Sequence, residues 1–143
     1  MNLKKKESEH EANVRRGRNS KRKGANYERT IAKLFQKVYG VELKRTPQSG
    51  GFAKKSSKAD DFRGDVTIVD EDLTLTLHIE CKNCKTWTLK DWLNQAEEDS
   101  PKGKVPIVVF HEYNKSNNYV CLSLEDFMKL VPREKIIKER EKK

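Results

Sequence analysis

The chain has 143 residues and a formal net charge of +9, with 34% hydrophobic and 37% charged residues. That length suits one domain with a modest core, and no apolar run is long enough to span a bilayer. The N-terminus opens on Lys4, Lys5 and Lys6 and has no apolar secretory stretch, so a soluble, cytoplasmic protein is expected.

Residues 1–23 hold nine Lys or Arg against three Glu and read as a basic, disordered N-terminal arm. Such an arm binds polyanions by counterion release without choosing a sequence, or simply keeps the chain soluble. Residues 24–131 form the expected folded domain. Its first helix runs from Ala25 to Tyr39, where Tyr27, Ile31, Leu34, Phe35 and Val38 recur at three- and four-residue steps. Gly40 stops it, and Val41 to Thr46 suits a short strand. From Pro47 to Gly64 the chain is rich in Gly, Ser and Lys, a loop long enough to suggest a functional role.

Strands are expected near Asp65–Val69 and Leu75–Lys82, a helix over Leu89–Glu98, and a buried strand over the apolar run Val105–Phe110. A strand at Tyr119–Leu122 follows. Ser123 then caps a last helix, with Asp126 at the third helical position. Residues 132–143 form a charged C-terminal tail. The order α-β-β-β-α-β-β-α predicts an α/β fold, a mixed central sheet flanked by helices.

If strands 65–69 and 75–82 pair as an antiparallel hairpin with Asp65 opposite Glu80, side-chain alternation sorts them cleanly. One face holds Val66, Ile68, Leu75, Leu77, Ile79 and Cys81. The other holds Asp65, Thr67, Thr76, His78, Glu80 and Lys82. A one-residue slip would mix the faces, so the pattern selects this register. Two carboxylates brought together repel unless a cation or proton lies between them, and an oxygen-rich pair suits Mg²⁺ or Mn²⁺. Lys82, on the same face, could orient the attacking water and stabilise charge developing on a phosphate. The spacing equally allows a solvated face with Lys82 paired to either acid.

Glu28 lies at the edge of the first helix's apolar stripe, with no basic residue three or four positions away. It therefore needs a partner from elsewhere, and a metal or its bound water is one candidate. Cys81 and Cys84 make a Cys-x-x-Cys pair, with His78, His111 and Cys121 as conceivable zinc ligands. A second such pair at finger-like spacing is missing, which favours ordinary reduced thiols.

The set Gly64-Asp65 … Glu80-Cys81-Lys82 resembles the PD-(D/E)xK nuclease signature, with Gly64 in place of its proline. Lys23-Gly24-Ala25-Asn26-Tyr27-Glu28-Arg29 and Arg45-Thr46-Pro47-Gln48-Ser49-Gly50-Gly51 look like the helix start and Ser-Gly loop of archaeal-type Holliday junction resolvases. The likeness covers about residues 21–112. It implies a restriction-endonuclease-like core and a homodimer that cuts four-way DNA junctions with Mg²⁺, for which Mn²⁺ would substitute. Carried over, Glu28, Asp65, Glu80 and Lys82 become active-site residues and Ser49 the loop serine near the cleaved strand. Asp65, Glu80 and the Cys81 carbonyl become metal ligands, with Glu28 assisting directly or through water. Gln95 is a weaker match to a polar site residue on the following helix. Arg45, Lys54, Lys55, Lys58 and the basic arm are then expected to contact flanking phosphates.

The long loop between Ser49 and Asp65 departs from the family pattern. This keeps open a phage or restriction-type endonuclease acting on duplex or flap DNA, and a non-catalytic DNA-binding module. Aromatic residues, at 8%, are too few and scattered for a base-stacking platform. Trp87, Trp92 and the last helix at Leu124–Leu130 are candidates for either core or dimer contact.

Overall fold

The computed structural model describes residues 3–47 and 63–142, with side chains from Ser8 onward. Helix α1 (Leu3–Tyr39) is followed by β1 (Leu43–Arg45), β2 (Val66–Ile68), β3 (Leu77–Lys82) and α2 (Leu89–Asp99). The chain continues through β4 (Val105–His111), β5 (Asn118–Cys121), α3 (Leu124–Leu130) and the single turn α4 (Arg133–Ile136). No helix among the described residues is long and apolar enough to cross a membrane.

Helix α1 is far longer than the expected Ala25–Tyr39 segment: the arm that its charge marks as disordered is helical from Leu3. Lys, Arg, Glu and Ala, which dominate residues 3–23, are all good helix formers, and Pro is absent there. Once Tyr27 and Ile31 dock, the helix can propagate towards its N-terminus without a new nucleation step. This part extends roughly 30 Å beyond the docked turns at the usual rise per residue, and its side chains from Ser8 to Lys23 are almost all exposed. Gly40, at φ 69°, ends α1 in the left-handed conformation. The docked face is Tyr27, Glu28, Ile31, Ala32 and Phe35, so Leu34 and Val38 of the expected stripe stay at the surface.

The expected hairpin does not form as a ladder. β2 pairs antiparallel with β1, whereas β3 pairs parallel with β4, and β5 adds antiparallel to β4. Helix α2 supplies the crossover that parallel neighbours need, making β3-α2-β4 a βαβ unit. β3 and β4 are covered on both sides. Ile79, Ile107 and Val109 pack against Tyr27, Ile31 and Ala32 of α1. Val108 and Phe110 pack against Trp92 and Ala96 of α2. Cover on both faces explains why β4 reads as an unbroken apolar run rather than an alternating one. Trp92 is thus core, while Trp87 stays half-exposed with its ring edge-on to Phe110 and Tyr119. Ser123 Oγ accepts the Asp126 N–H, giving the expected cap on α3, but no residue of that helix is buried.

β2 and β3 meet only at one end. The Asp65 N–H donates to the Ile79 carbonyl at 2.8 Å, and the Asp65 carbonyl accepts from Thr46 N–H at 2.9 Å. Gly64 makes this approach possible, because a Cβ there would lie 3.0 Å from the Ile79 oxygen and 3.1 Å from its nitrogen. Both obstructing atoms are backbone and cannot swing aside. Gly64→Ala should therefore push the two segments apart and destabilise the fold by about 1–3 kcal/mol, the usual cost of overpacking. Gly17→Ala, which meets nothing within 4 Å, should not. Thermal unfolding of the two variants checks this.

Candidate active site

Asp65 is held on three sides. Besides its two backbone bonds, its Oδ2 accepts the Cys81 N–H at 2.7 Å. The N–H contact to Ile79 and the carboxylate contact to Cys81 bracket Glu80. Asp65 thus stands beside Glu80, as the alternating pattern predicts, although its own side chain replaces the ladder carbonyl that a hairpin would supply. In an extended strand the N–H and C=O of one residue leave towards the same edge. The Cys81 carbonyl therefore faces the Asp65 side of β3, away from β4.

The remaining groups converge from both faces of the sheet. Glu80, Lys82 and His78 project to the α2 face, and the Lys82 ammonium donates to Gln95 Oε1 of α2 at 2.9 Å. Glu28 comes from α1 on the other face, where it is only 8% exposed and ion-paired with Arg45 of β1. The partner that sequence spacing denied Glu28 is therefore supplied by the tertiary fold. Ser49, Lys54, Lys55 and Lys58 lie outside the described residues.

The carboxylates sense one another. Burial, followed by the nearby Glu80 charge, pushes the Asp65 carboxyl up to about 7, with Glu28 adding to the effect. The Cys81 N–H and the Lys82 charge oppose it. The Cys81 thiol is pushed well above its usual value by burial and then by Asp65, Glu28 and Glu80.

The oxygen donors fit a hard divalent cation. Two repelling carboxylates and a strand-edge carbonyl are the donor types that Mg²⁺ accepts. Among the described residues no three His, Cys, Asp or Glu side chains gather closely enough to hold a metal by themselves. The ligand set would thus be Asp65, Glu80 and the Cys81 carbonyl, with Glu28 held back by Arg45. Cys81, Cys84 and Cys121 are free thiols, and both ring nitrogens of His111 are engaged by Lys115 and Asn83.

Sequence reasoning placed His78 on the polar face but gave it no part in the acidic site. It is 2% exposed, and its Nε2 lies 3.0 Å from Glu80 Oε1. The contact is at ion-pair distance, yet neither ring nitrogen makes a well-formed hydrogen bond among the described residues. Its position two residues before Glu80 was the available signal.

A family model described as "Phage putative PDDEXK endonuclease" matches residues 19–142. The chain belongs to this PDDEXK family. No curated protein and no solved structure gives a significant match. The match supports the PD-(D/E)xK part of the resemblance, whereas it names phage endonucleases rather than archaeal resolvases. The α/β fold with its mixed sheet between helices is consistent with a PDDEXK core, and PDDEXK nucleases generally use divalent metals.

The raised Asp65 carboxyl has a consequence for stability. Because its native pKa lies above the ordinary value near 4, the native state holds the extra proton between about pH 4 and 7. Its contribution is then fully present below about pH 4 and is lost as pH rises through about 7. Asp65→Asn, which keeps an acceptor for the Cys81 N–H, should raise the metal-free Tm at pH 8 by roughly 4–8 °C. The gain should shrink towards pH 4. Calorimetry of both proteins in chelator across this range measures it.

Proposed function

We propose that the chain is a Mg²⁺-dependent DNA endonuclease that hydrolyses phosphodiester bonds at the Asp65–Glu80–Lys82 centre. The observation that carries the reading is Asp65, whose backbone and carboxylate are both fixed against β3 beside a second buried carboxylate. Buried like charges are costly in a purely structural role, and a cation-binding role explains why they are kept together. When bound, the cation would supply Lewis-acid polarisation of the scissile phosphate and a more acidic attacking water.

The chain's own groups divide the remaining work. Asp65 and Glu80 present oxygens whose positions are set by β3, so little reorganisation is needed on binding. Lys82, kept in place by Gln95, points a positive charge at the phosphate and orients the nucleophilic water. Glu28, tethered to Arg45, adds negative charge behind Asp65 and can hold a water at the rim. Ser49 is assigned to the cleaved strand by resemblance. The helical arm and Arg45 contribute sequence-independent phosphate contacts.

A four-way junction is the substrate we favour, cut by a homodimer whose two-fold axis places one centre on each of two strands. The match to phage endonucleases favours a second reading, cleavage of duplex or flap DNA. Incubating the protein with a four-way junction and a matched linear duplex, with and without Mg²⁺, separates them. Paired symmetric nicks confined to the junction support the first reading, and cleavage of the duplex at equal rate supports the second.

Asp65→Asn and Glu80→Gln should leave no detectable cleavage while DNA affinity stays within a few-fold. Normal Mg²⁺-dependent cutting by either variant would mean the centre lies elsewhere. Gln95→Ala should slow cleavage by roughly 10–100-fold, as loss of a supporting partner does, with little change in KM.

A further inference from the structure

Immediately beyond Lys82 the chain enters a second polar cluster, with no part in the centre above. Asn83 lies at one wall of an open cleft of about 530 Å³ between α1 and the β4–β5 turn, whose lining includes Lys23, His111 and Tyr113; Lys85 reaches the Tyr113 ring from beside it. That volume falls within the usual range of small-ligand sites.

The floor of the cleft is rigid. The rings of Tyr27 and His111 stack with centroids 4.2 Å apart, and the Tyr27 hydroxyl donates to Asn118 Oδ1 at 3.0 Å. His111 Nδ1 lies 3.1 Å from the Lys115 carbonyl and its Nε2 2.6 Å from Asn83 Oδ1. Asn83 also reaches the Lys23 carbonyl at 3.4 Å, tying the end of β3 to α1.

The rim is cationic. Lys23 Nζ donates to the Tyr113 hydroxyl at 3.3 Å, and the Lys85 ammonium sits 4.7 Å from the centroid of the same ring. Among the described residues no ion pair joins Lys23 or Lys85 to a carboxylate. Two ammonium groups converging on one phenol repel each other, and an anion between them removes that cost. The Tyr113 phenol is lowered by the Lys23 hydrogen bond and by the charges of Lys23 and Lys85, in keeping with a positive local potential. Asn114, at φ 59°, takes the left-handed conformation in the turn after Tyr113, which Asn tolerates well.

We propose that Lys23, Lys85 and Tyr113 form a clamp for one backbone phosphate of the DNA strand, flanking the scissile bond. The inference rests on the reading of the chain as a DNA nuclease and adds to it a defined subsite. Three residues of extended chain span at most about 10 Å, so the Lys85 backbone lies near that of Lys82. Such a phosphate contact sets register and reads no sequence.

Fluorescence anisotropy with a labelled four-way junction and a labelled duplex, in an Asp65→Asn background, tests the clamp. Lys23→Gln/Lys85→Gln should weaken binding roughly fivefold or more, and the slope of log affinity against log salt should fall by about 1, as loss of one phosphate contact requires. The control Lys102→Gln/Lys138→Gln removes the same charge away from the cleft and should change the slope by less than half as much. Thermal unfolding should be unchanged in both, because the substituted lysines are exposed. An unchanged slope in the clamp variant overturns the proposal, as does an equal fall in the control. If the parent binds and the wild type cuts, either result sinks the clamp alone. If wild type neither binds nor cuts DNA, the nuclease reading falls and the clamp with it.

Discussion

One residue, Asp65, joins the two halves of the sheet system. Its carbonyl belongs to the β1–β2 side through Thr46, and its N–H and carboxylate belong to the edge of β3. Everything at the candidate centre depends on this junction. It sets Asp65 beside Glu80, leaves the Cys81 carbonyl on the same edge, and requires a residue without a Cβ at Gly64. A regular hairpin would use the same strand edge for ladder bonds and leave no backbone oxygen for a ligand.

The junction gathers charge in a place that the fold would otherwise keep apolar. Glu28 and Glu80 are both buried, and Asp65 shares their field. The arrangement is made tolerable piecemeal: Arg45 neutralises Glu28, Lys82 offsets Asp65, and Gln95 fixes Lys82 without cancelling its charge. Each compensating group arrives from a different element, so the site forms only when α1, β1, β3 and α2 are all docked. A cation would complete the neutralisation that the side chains leave unfinished, as the proposed activity requires.

Outside the centre, basic groups follow a recognisable geography. Helix α1 carries its positive charge along an exposed rod that ends at Lys23, where the rod meets the folded domain and the cleft beside Tyr113. From there Asn83 and Lys85 lead back to Lys82 within a few residues. The basic arm thus leads into a positive path towards an acidic centre. Leu124, Phe127 and Met128 of α3 remain exposed, at 65% for Leu124.

The sequence by itself determined the element order as far as α3, the burial of β4, the cap at Ser123, the apolar face of β3 and the neighbourhood of Asp65 and Glu80. All of these follow from periodicity, turn chemistry and side-chain alternation, which are local. Only the tertiary structure decided which strands pair. A parallel β3–β4 ladder requires α2 to cross over the sheet, and alternation along β3 is the same for either partner. It likewise decided that Glu28 meets Arg45, that Lys82 meets Gln95, that Leu34 and Val38 stay exposed, and that the basic arm continues α1 as helix. Those outcomes rest on contacts between residues distant in sequence, or on a docked helix acting as nucleus for an exposed one, and neither leaves a periodic trace in the chain.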